Sequence, residues 1–150
     1  MLKWLWLCLI VVPLVLLSGC GGSGSSLSPG EGSGTIATDD FDPFEDDQGP
    51  MHLRYFSLPA TGTYQCILSS GPGQPALPKP WIRMLAGHVQ ETNQSFFAAY
   101  NNGTGVLAES YGENIAQVIL TANAGEEFTF AFAGRSGGTG AYSWRVLRIQ

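Results

Sequence analysis

The sequence has 150 residues and a net charge of −5, with 13% charged residues, 20 glycines and 11% aromatic residues. A chain of this length forms one domain, and the composition is typical of short strands and tight turns rather than long solvated helices. Seven of the twelve acids lie in residues 31–47, whereas residues 51–150 carry five acids and six bases. Six scattered bases do not form the basic stripe that nucleic-acid binding requires, so we exclude nucleic acid as a partner.

The first residues have the layout of a secretory signal. Lys3 gives a positive start, and an apolar stretch over residues 4–17 is shorter than the ~20 residues of a membrane-spanning helix. Leu17-Ser18-Gly19-Cys20 resembles the bacterial lipobox, in which leucine and small residues precede the lipidated cysteine. The resemblance implies a signal peptide over 1–19, cleavage before Cys20, and acyl chains (palmitate among them) that hold the protein on a membrane outside the cytoplasm. Gly21 replaces the usual inner-membrane retention aspartate, which favours the outer membrane in a cell with two.

A disordered tether is expected over residues 20–50. Residues 21–34 are nearly all Gly, Ser and Pro, a flexible linker composition. Six carboxylates follow within residues 39–47. Such closely spaced oxygen ligands suit Ca²⁺, although the spacing is not that of an EF-hand, and a solvated acidic linker is the alternative. The calcium hypothesis names four residues: Asp42, Glu45, Asp46 and Asp47.

Residues 51–150 are expected to form an all-β domain, an antiparallel β-sandwich of jelly-roll type with about seven or eight strands. Apolar and polar residues alternate most clearly at Phe128, Phe130 and Phe132, which predicts a strand with these rings in the core. Residues 95–100 and 106–110 flank Asn101–Gly105, which predicts a hairpin rather than a helix. The other predicted strands cover residues 53–58, 63–68, 81–85, 116–120 and 142–149.

The domain resembles the bacterial pre-peptidase C-terminal (PPC) family. The resemblance rests on Arg54–Tyr64, on Tyr100–Ala108, and on the phenylalanine repeat with the glycine turn and tyrosine strand that follow it. It implies a β-sandwich that accompanies secreted enzymes as an accessory module. The acidic residues 42–47 are similar to the family's lead-in segment, where some collagen-binding members bind calcium.

No catalytic apparatus is expected. His88 with Ser95 or Glu91 is the one hydrolase constellation that the sequence suggests, and no nucleophile-elbow pattern surrounds a serine. His52 and His88 lack zinc-site spacing and are interpreted as surface or strand-edge residues. Since Cys8 leaves with the signal and Cys20 is acylated, the last cysteine, Cys66, has no intramolecular partner and is expected to be an inert core residue.

A binding face is the remaining functional prediction. Trp81, Tyr100 and Tyr111 lie near predicted loops, where aromatic rings stack on sugars or anchor peptides. The alternative is that they pack beneath the long segment 69–93. We therefore expect a lipid-anchored, non-catalytic module that binds an extracellular protein or polysaccharide. A structural envelope lipoprotein without a ligand and a small hydrolase are the alternatives.

Overall fold

The computed structural model describes residues 29–44, 49–101 and 105–150. These residues form eight strands and one helix: β1 Glu31–Ile36, β2 Met51–Ser57, β3 Gly62–Ser70, β4 Pro80–Ala86, α1 Asn93–Asn101, β5 Ala108–Tyr111, β6 Ile115–Ala122, β7 Glu127–Gly134 and β8 Gly140–Arg148. Within the described part of the chain, no helix has the length and apolar character needed to cross a bilayer.

The strands form two four-stranded antiparallel sheets. The first sheet has the order β1-β8-β3-β6, and the second has the order β2-β7-β4-β5. Successive strands alternate between the sheets except for β4 and β5, which are neighbours in the second sheet, and this is the strand order of a jelly roll, in which two Greek keys share one core. The predicted antiparallel sandwich of jelly-roll type is therefore confirmed.

The main core lies between the sheets. Alternate residues of each strand face it, as in β6, where every second residue from Ala116 to Ala122 is buried. Phe130 and Phe132 are 1% and 0% exposed and belong to this core, and the half-buried Phe128 packs against it. Cys66 is a free, fully buried thiol in the same core, so its predicted place in the core is confirmed, and burial raises the pKa of the thiol, which disfavours the reactive thiolate.

A second apolar cluster covers the outer face of the second sheet. Residues of β2, β4 and β7 that point away from the main core meet Phe96 of α1 and the rings of Phe41 and Phe44. The Phe44 ring packs edge-on against Phe96 and Phe97, with centroids 5.5 and 5.6 Å apart. Consequently β7 is buried on both faces, and the second sheet is the middle layer of the domain.

The folded unit begins before residue 51, which corrects the expected tether. Residues Glu31–Ile36 pair with β8 over six residues, and Phe41 and Phe44 join the second cluster. The sequence of β1 carries no alternating apolar signal because two of its three inward positions, Gly32 and Gly34, are glycines, and only Ile36 reaches the main core with an apolar side chain. A Cβ on Gly32 would lie 2.8 Å from the Trp144 ring, and one on Gly34 would lie 2.6 Å from the Tyr142 hydroxyl. The glycines thus leave room for opposing aromatic rings.

The predicted strand over residues 95–100 is also wrong, since this segment is helical. Thr92 accepts a hydrogen bond from the Ser95 backbone N–H on its Oγ1 atom, and its carbonyl accepts one from Phe96 N–H. This is the geometry of a helix N-cap. The helix then places Phe96, Phe97 and Tyr100 on the second cluster. The strand predicted at 106–110 occurs as Ala108–Tyr111, and residues 102–104 of the predicted hairpin lie outside the described residues.

Candidate functional site

Trp81 and Tyr111 are neighbours on the outer face of the second sheet. In β4, Ile82 and Met84 face the main core, so Trp81, Arg83 and Leu85 point outward. The register of β4 with β5 places Tyr111 directly opposite Trp81. Residues opposite each other on adjacent antiparallel strands share a face, so the two rings form one surface feature, the Trp81–Tyr111 pair.

Each ring of the Trp81–Tyr111 pair has a guanidinium group against it. The Arg83 carbon Cζ lies 3.6 Å from the centroid of the Trp81 ring, and that of Arg135 lies 4.1 Å from the centroid of the Tyr111 ring. Such cation–π contacts contribute ~0.5–2 kcal/mol each, more where water is excluded. Tyr111 remains 54% exposed despite this contact, whereas Trp81 is half-buried. The pair is thus held in place and still open to solvent.

Arg83 is a buried cation that lies against the Trp81 ring. It is 4% exposed, its Nε atom lies 3.7 Å from Glu109 Oε2, and its guanidinium also approaches the Phe44 ring at 5.5 Å. Burial lowers the pKa of Arg83, and the nearby charge of Glu109 acts in the opposite direction. The charge is compensated by the carboxylate and two aromatic faces, so Arg83 supports Trp81 rather than presenting a free charge to solvent.

Tyr100 belongs to the second cluster rather than to the pair. Its ring stacks on Phe96 at 5.7 Å and meets Phe44 edge-on at 5.6 Å. The three aromatic residues predicted from the sequence are therefore divided: Trp81 and Tyr111 form one surface feature, and Tyr100 holds α1 onto the second sheet.

Charged residues lie beside the pair, at the end of the sheet where β4 begins and β5 and β7 end. Lys79, just before β4, lies 3.9 Å from Glu113, which follows β5, and their side chains are 56% and 82% exposed. Arg135 follows β7 and donates its backbone N–H to the Lys79 carbonyl. An aromatic centre with a polar, solvated rim is the usual anatomy of a macromolecular binding surface.

A second polar site, which sequence reasoning missed, lies at the edge where β1 and β2 face each other. His52 Nε2 donates to Asp40 Oδ2 at 2.8 Å, and His52 Nδ1 lies 2.7 Å from the Tyr142 hydroxyl and 3.0 Å from Arg54 Nη2. Arg54 also donates to the Tyr142 oxygen at 3.0 Å. These four residues are called the His52 network. Because arginine only donates, Nδ1 accepts, so the proton of the neutral imidazole is assigned to Nε2.

The His52 network has the order of a carboxylate–imidazole–hydroxyl relay, but its hydroxyl faces protein. Tyr142 is 0% exposed, and Gly34 of β1 covers its oxygen. Burial raises the pKa of Tyr142, so the hydroxyl keeps its proton. Burial, and secondarily the Arg54 charge, lowers the pKa of His52, which keeps the imidazole neutral. The arrangement joins the 37–42 segment, β2 and β8 across the sandwich edge. One feature of the sequence could have indicated this site. His52 and Arg54 alternate along β2 with Phe56, so they lie on the strand face that points to the main core.

The contacts of the described residues do not join the suggested hydrolase constellation. His88 stacks on Tyr55 with ring centroids 4.3 Å apart, whereas the Ser95 hydroxyl oxygen accepts the Gln90 backbone N–H at 2.9 Å. His52 is not a surface residue, since its side chain is 17% exposed and hydrogen-bonded. Of the two alternatives expected from the sequence, His52 is therefore the strand-edge residue, since β2 is an edge strand of the second sheet.

The remaining predicted site residues lie largely outside the described residues. Asp42 Oδ1 accepts the Phe44 backbone N–H at 3.2 Å, and Glu45, Asp46, Asp47 and Cys20 are not among the residues described. Within the described ranges, no group of three or more His, Cys, Asp or Glu residues has an arrangement that holds a metal ion. Calcium binding and lipidation therefore stay predictions.

Comparisons with known proteins give structural similarity but no match in sequence. No family model and no curated protein matches the sequence. Among solved structures, the pre-peptidase C-terminal domain of a collagenase from Bacillus anthracis is similar, with a TM-score of 0.47 and 11% identity over 84% of this chain and 100% of that chain. The fold of the present chain is established by its own strand order and register.

Proposed function

We propose that this protein is a lipid-anchored, non-catalytic module that binds a protein or polysaccharide at the cell envelope. The lipid on Cys20 would hold it on a membrane outside the cytoplasm, the outer one in a cell with two membranes. The Trp81–Tyr111 pair would contact the partner. The observation that carries the proposal is the placement of these two rings opposite each other on one sheet face, with Tyr111 54% exposed.

The physical case for binding is that the pair is ordered before any partner arrives. Arg83 and Arg135 hold the rings at 3.6 and 4.1 Å, so little side-chain entropy is left to lose on association. Aromatic rings with two side-chain torsions already offer a large apolar surface at low entropic cost. An exposed ring of this kind is the residue type that dominates measured binding energies in interfaces.

The test compares binding of two variants to isolated cell envelopes and to secreted polymers. Tyr111→Ala should weaken binding at least tenfold, since truncation of an anchoring aromatic residue costs more than ~1 kcal/mol. Ile119→Ala is the matched control, because Ile119 is 55% exposed and lies on the other sheet. Equal binding by Tyr111→Ala and the unmodified protein would refute the role of the pair.

Anchoring is tested separately by mass spectrometry of the protein isolated from its native membrane. The expected N-terminal residue is Cys20 carrying a diacylglyceryl group, because two or three acyl chains hold a protein on a membrane for long periods. Cys20→Ser should retain the signal peptide and release no lipidated product. An unmodified sulfur at position 20 would overturn this part of the proposal.

A further inference from the structure

The outer face of the first sheet is open, unlike that of the second. In β6, the residues between the buried core positions are exposed, with Ile115 at 57% and Ile119 at 55%. Leu147 of β8 is 38% exposed on the same face. No helix or loop of the described residues forms a second cluster here. Within residues 29–44, 49–101 and 105–150 this face is therefore uncovered, and it lies on the other sheet from the Trp81–Tyr111 pair.

A groove of about 500 Å³ crosses this face at one end. Its base follows from the strand register, which places Ser33 of β1 opposite Ser143 of β8, and Ser143 opposite Ser69 of β3. Ser69 in turn lies opposite Ile115 of β6. Three successive small side chains leave a depression that runs across the strands. A row of larger residues (Glu31, Arg145 and Ile67) flanks it on one side.

The polar groups of the groove are available and carry no net charge. Among the described residues, none of the hydroxyls of Ser33, Ser69 and Ser143 has a hydrogen-bond partner within the protein. Arg145 Nη2 and Glu31 Oε2 are paired at 3.0 Å, with side chains 55% and 71% exposed, so their charges balance. The groove thus offers hydroxyls, one carboxylate and one guanidinium beside the apolar side chains of Ile67 and Ile115.

We propose that this groove binds an extended, uncharged glycan lying across the strands. Neighbouring strands are ~4.8 Å apart, so the three serine hydroxyls recur at about the length of one sugar ring. Hydroxyls both donate and accept, as sugar hydroxyls do, and apolar side chains contact the C–H faces of the rings. A peptide strand would instead pair with a sheet edge, where its backbone groups find continuous partners. The balanced Glu31–Arg145 pair favours a neutral glycan over a polyanion.

The experiment titrates the full-length protein, purified in detergent, with cellohexaose and chitohexaose by isothermal calorimetry. Binding of at least one of these unbranched β-linked hexasaccharides is expected. Ser143→Leu should weaken it at least tenfold, because the added side chain fills the middle of the groove. Thr121→Leu is the matched control, since Thr121 is an exposed residue of β6 on the same face outside the groove. It should bind as the unmodified protein does.

If Ser143→Leu does not fold, the milder Ser143→Ala and Ser69→Ala variants test whether the groove binds the hexasaccharide. Each should weaken hexasaccharide binding severalfold. The proposal is overturned if neither hexasaccharide binds at millimolar concentration, or if these variants bind unchanged. It is also overturned if Tyr111→Ala, rather than the serine variants, abolishes glycan binding. This inference does not rest on the Trp81–Tyr111 pair, so loss of envelope binding in Tyr111→Ala with intact glycan binding separates the two sites.

Discussion

Phe130→Ala tests whether the main core between the sheets dominates stability. Phe130 lies in the middle of β7, is 1% exposed, and pairs in register with Arg54 on one side and Met84 on the other. Its ring meets Phe56 edge-on at 5.3 Å and stacks on Phe132 at 6.3 Å. Burial of the ring contributes ~1.5–3 kcal/mol. Truncation also leaves a cavity and removes aromatic contacts, so the expected cost is ~3–5 kcal/mol.

A loss of that size is a large part of the ~5–15 kcal/mol that stabilises a typical domain, and it should lower Tm by roughly 10–20 °C. Urea unfolding followed by tryptophan fluorescence measures it, with the m-value checked for two-state behaviour. Ile119→Ala, at an exposed position of the first sheet, should change the free energy of unfolding by less than ~0.5 kcal/mol. A cost below ~1.5 kcal/mol for Phe130→Ala with an unchanged m-value would refute this account of the core.

Three further predictions concern the sandwich edge and the helix. Because the pKa of His52 is lowered in the folded state, the unfolded state takes up a proton near pH 6.5 that the folded state does not. The free energy of unfolding should therefore be largest above pH 6.5 and should decrease as the pH falls below it, by at most ~1.4 kcal/mol per pH unit. Urea titrations between pH 7.5 and about 5.5 should show this loss in His88→Gln but not in His52→Gln, and stability that increases on acidification would contradict the assignment. Gly34→Val should lower the free energy of unfolding by ~1–3 kcal/mol, because a Cβ at this position would lie 2.6 Å from the Tyr142 hydroxyl. Ser33→Val is the control and should leave Tm almost unchanged, because the side chain at position 33 points outward. Equal effects of the two substitutions would contradict the register of β1 on β8. Thr92→Ala removes the N-cap of α1, so it should lower the free energy of unfolding by ~1 kcal/mol and speed amide exchange in the helix. Gln94→Ala, at an exposed position of the same helix, should do neither. Unchanged amide exchange in Thr92→Ala would contradict the capping role.

Strands with alternating apolar residues were predictable because that pattern is local. In β7, Phe130 and Phe132 alternate with small residues. Because successive side chains of a strand point to opposite faces, this alternation predicts which side chains share a face. The same reasoning located β2, β3, β4, β6 and β8, and it identified Cys66 as a core residue. The antiparallel sandwich follows, since short strands with glycine-rich turns bury one face each only by packing two sheets together.

The helix and the first strand required the tertiary structure. Residues 93–101 contain apolar residues that suit either a strand or a helix, and the helix forms where Phe96 reaches Phe41 and Phe44, more than fifty residues away. β1 has no apolar period of its own. It is a strand because β8 supplies both the hydrogen-bond partners and the rings of Tyr142 and Trp144 that lie against its glycines.

The candidate sites were likewise predictable only in part: their residue types could be read from the sequence, but their neighbours could not. Residue type alone marked Trp81 and Tyr111 as possible anchors, because aromatic residues near turns suit binding. Register alone decided that they are cross-strand neighbours, while Tyr100 packs elsewhere. The His52 network joins residues 12 and 90 positions apart, and the serine row of the groove joins three strands. The sequence by itself determined the strands that carry an alternating apolar pattern and the residues that those strands bury, since the pattern depends on neighbours along the chain. Strand pairing, which joins distant segments, decided that β1 is a strand and which polar and aromatic groups meet.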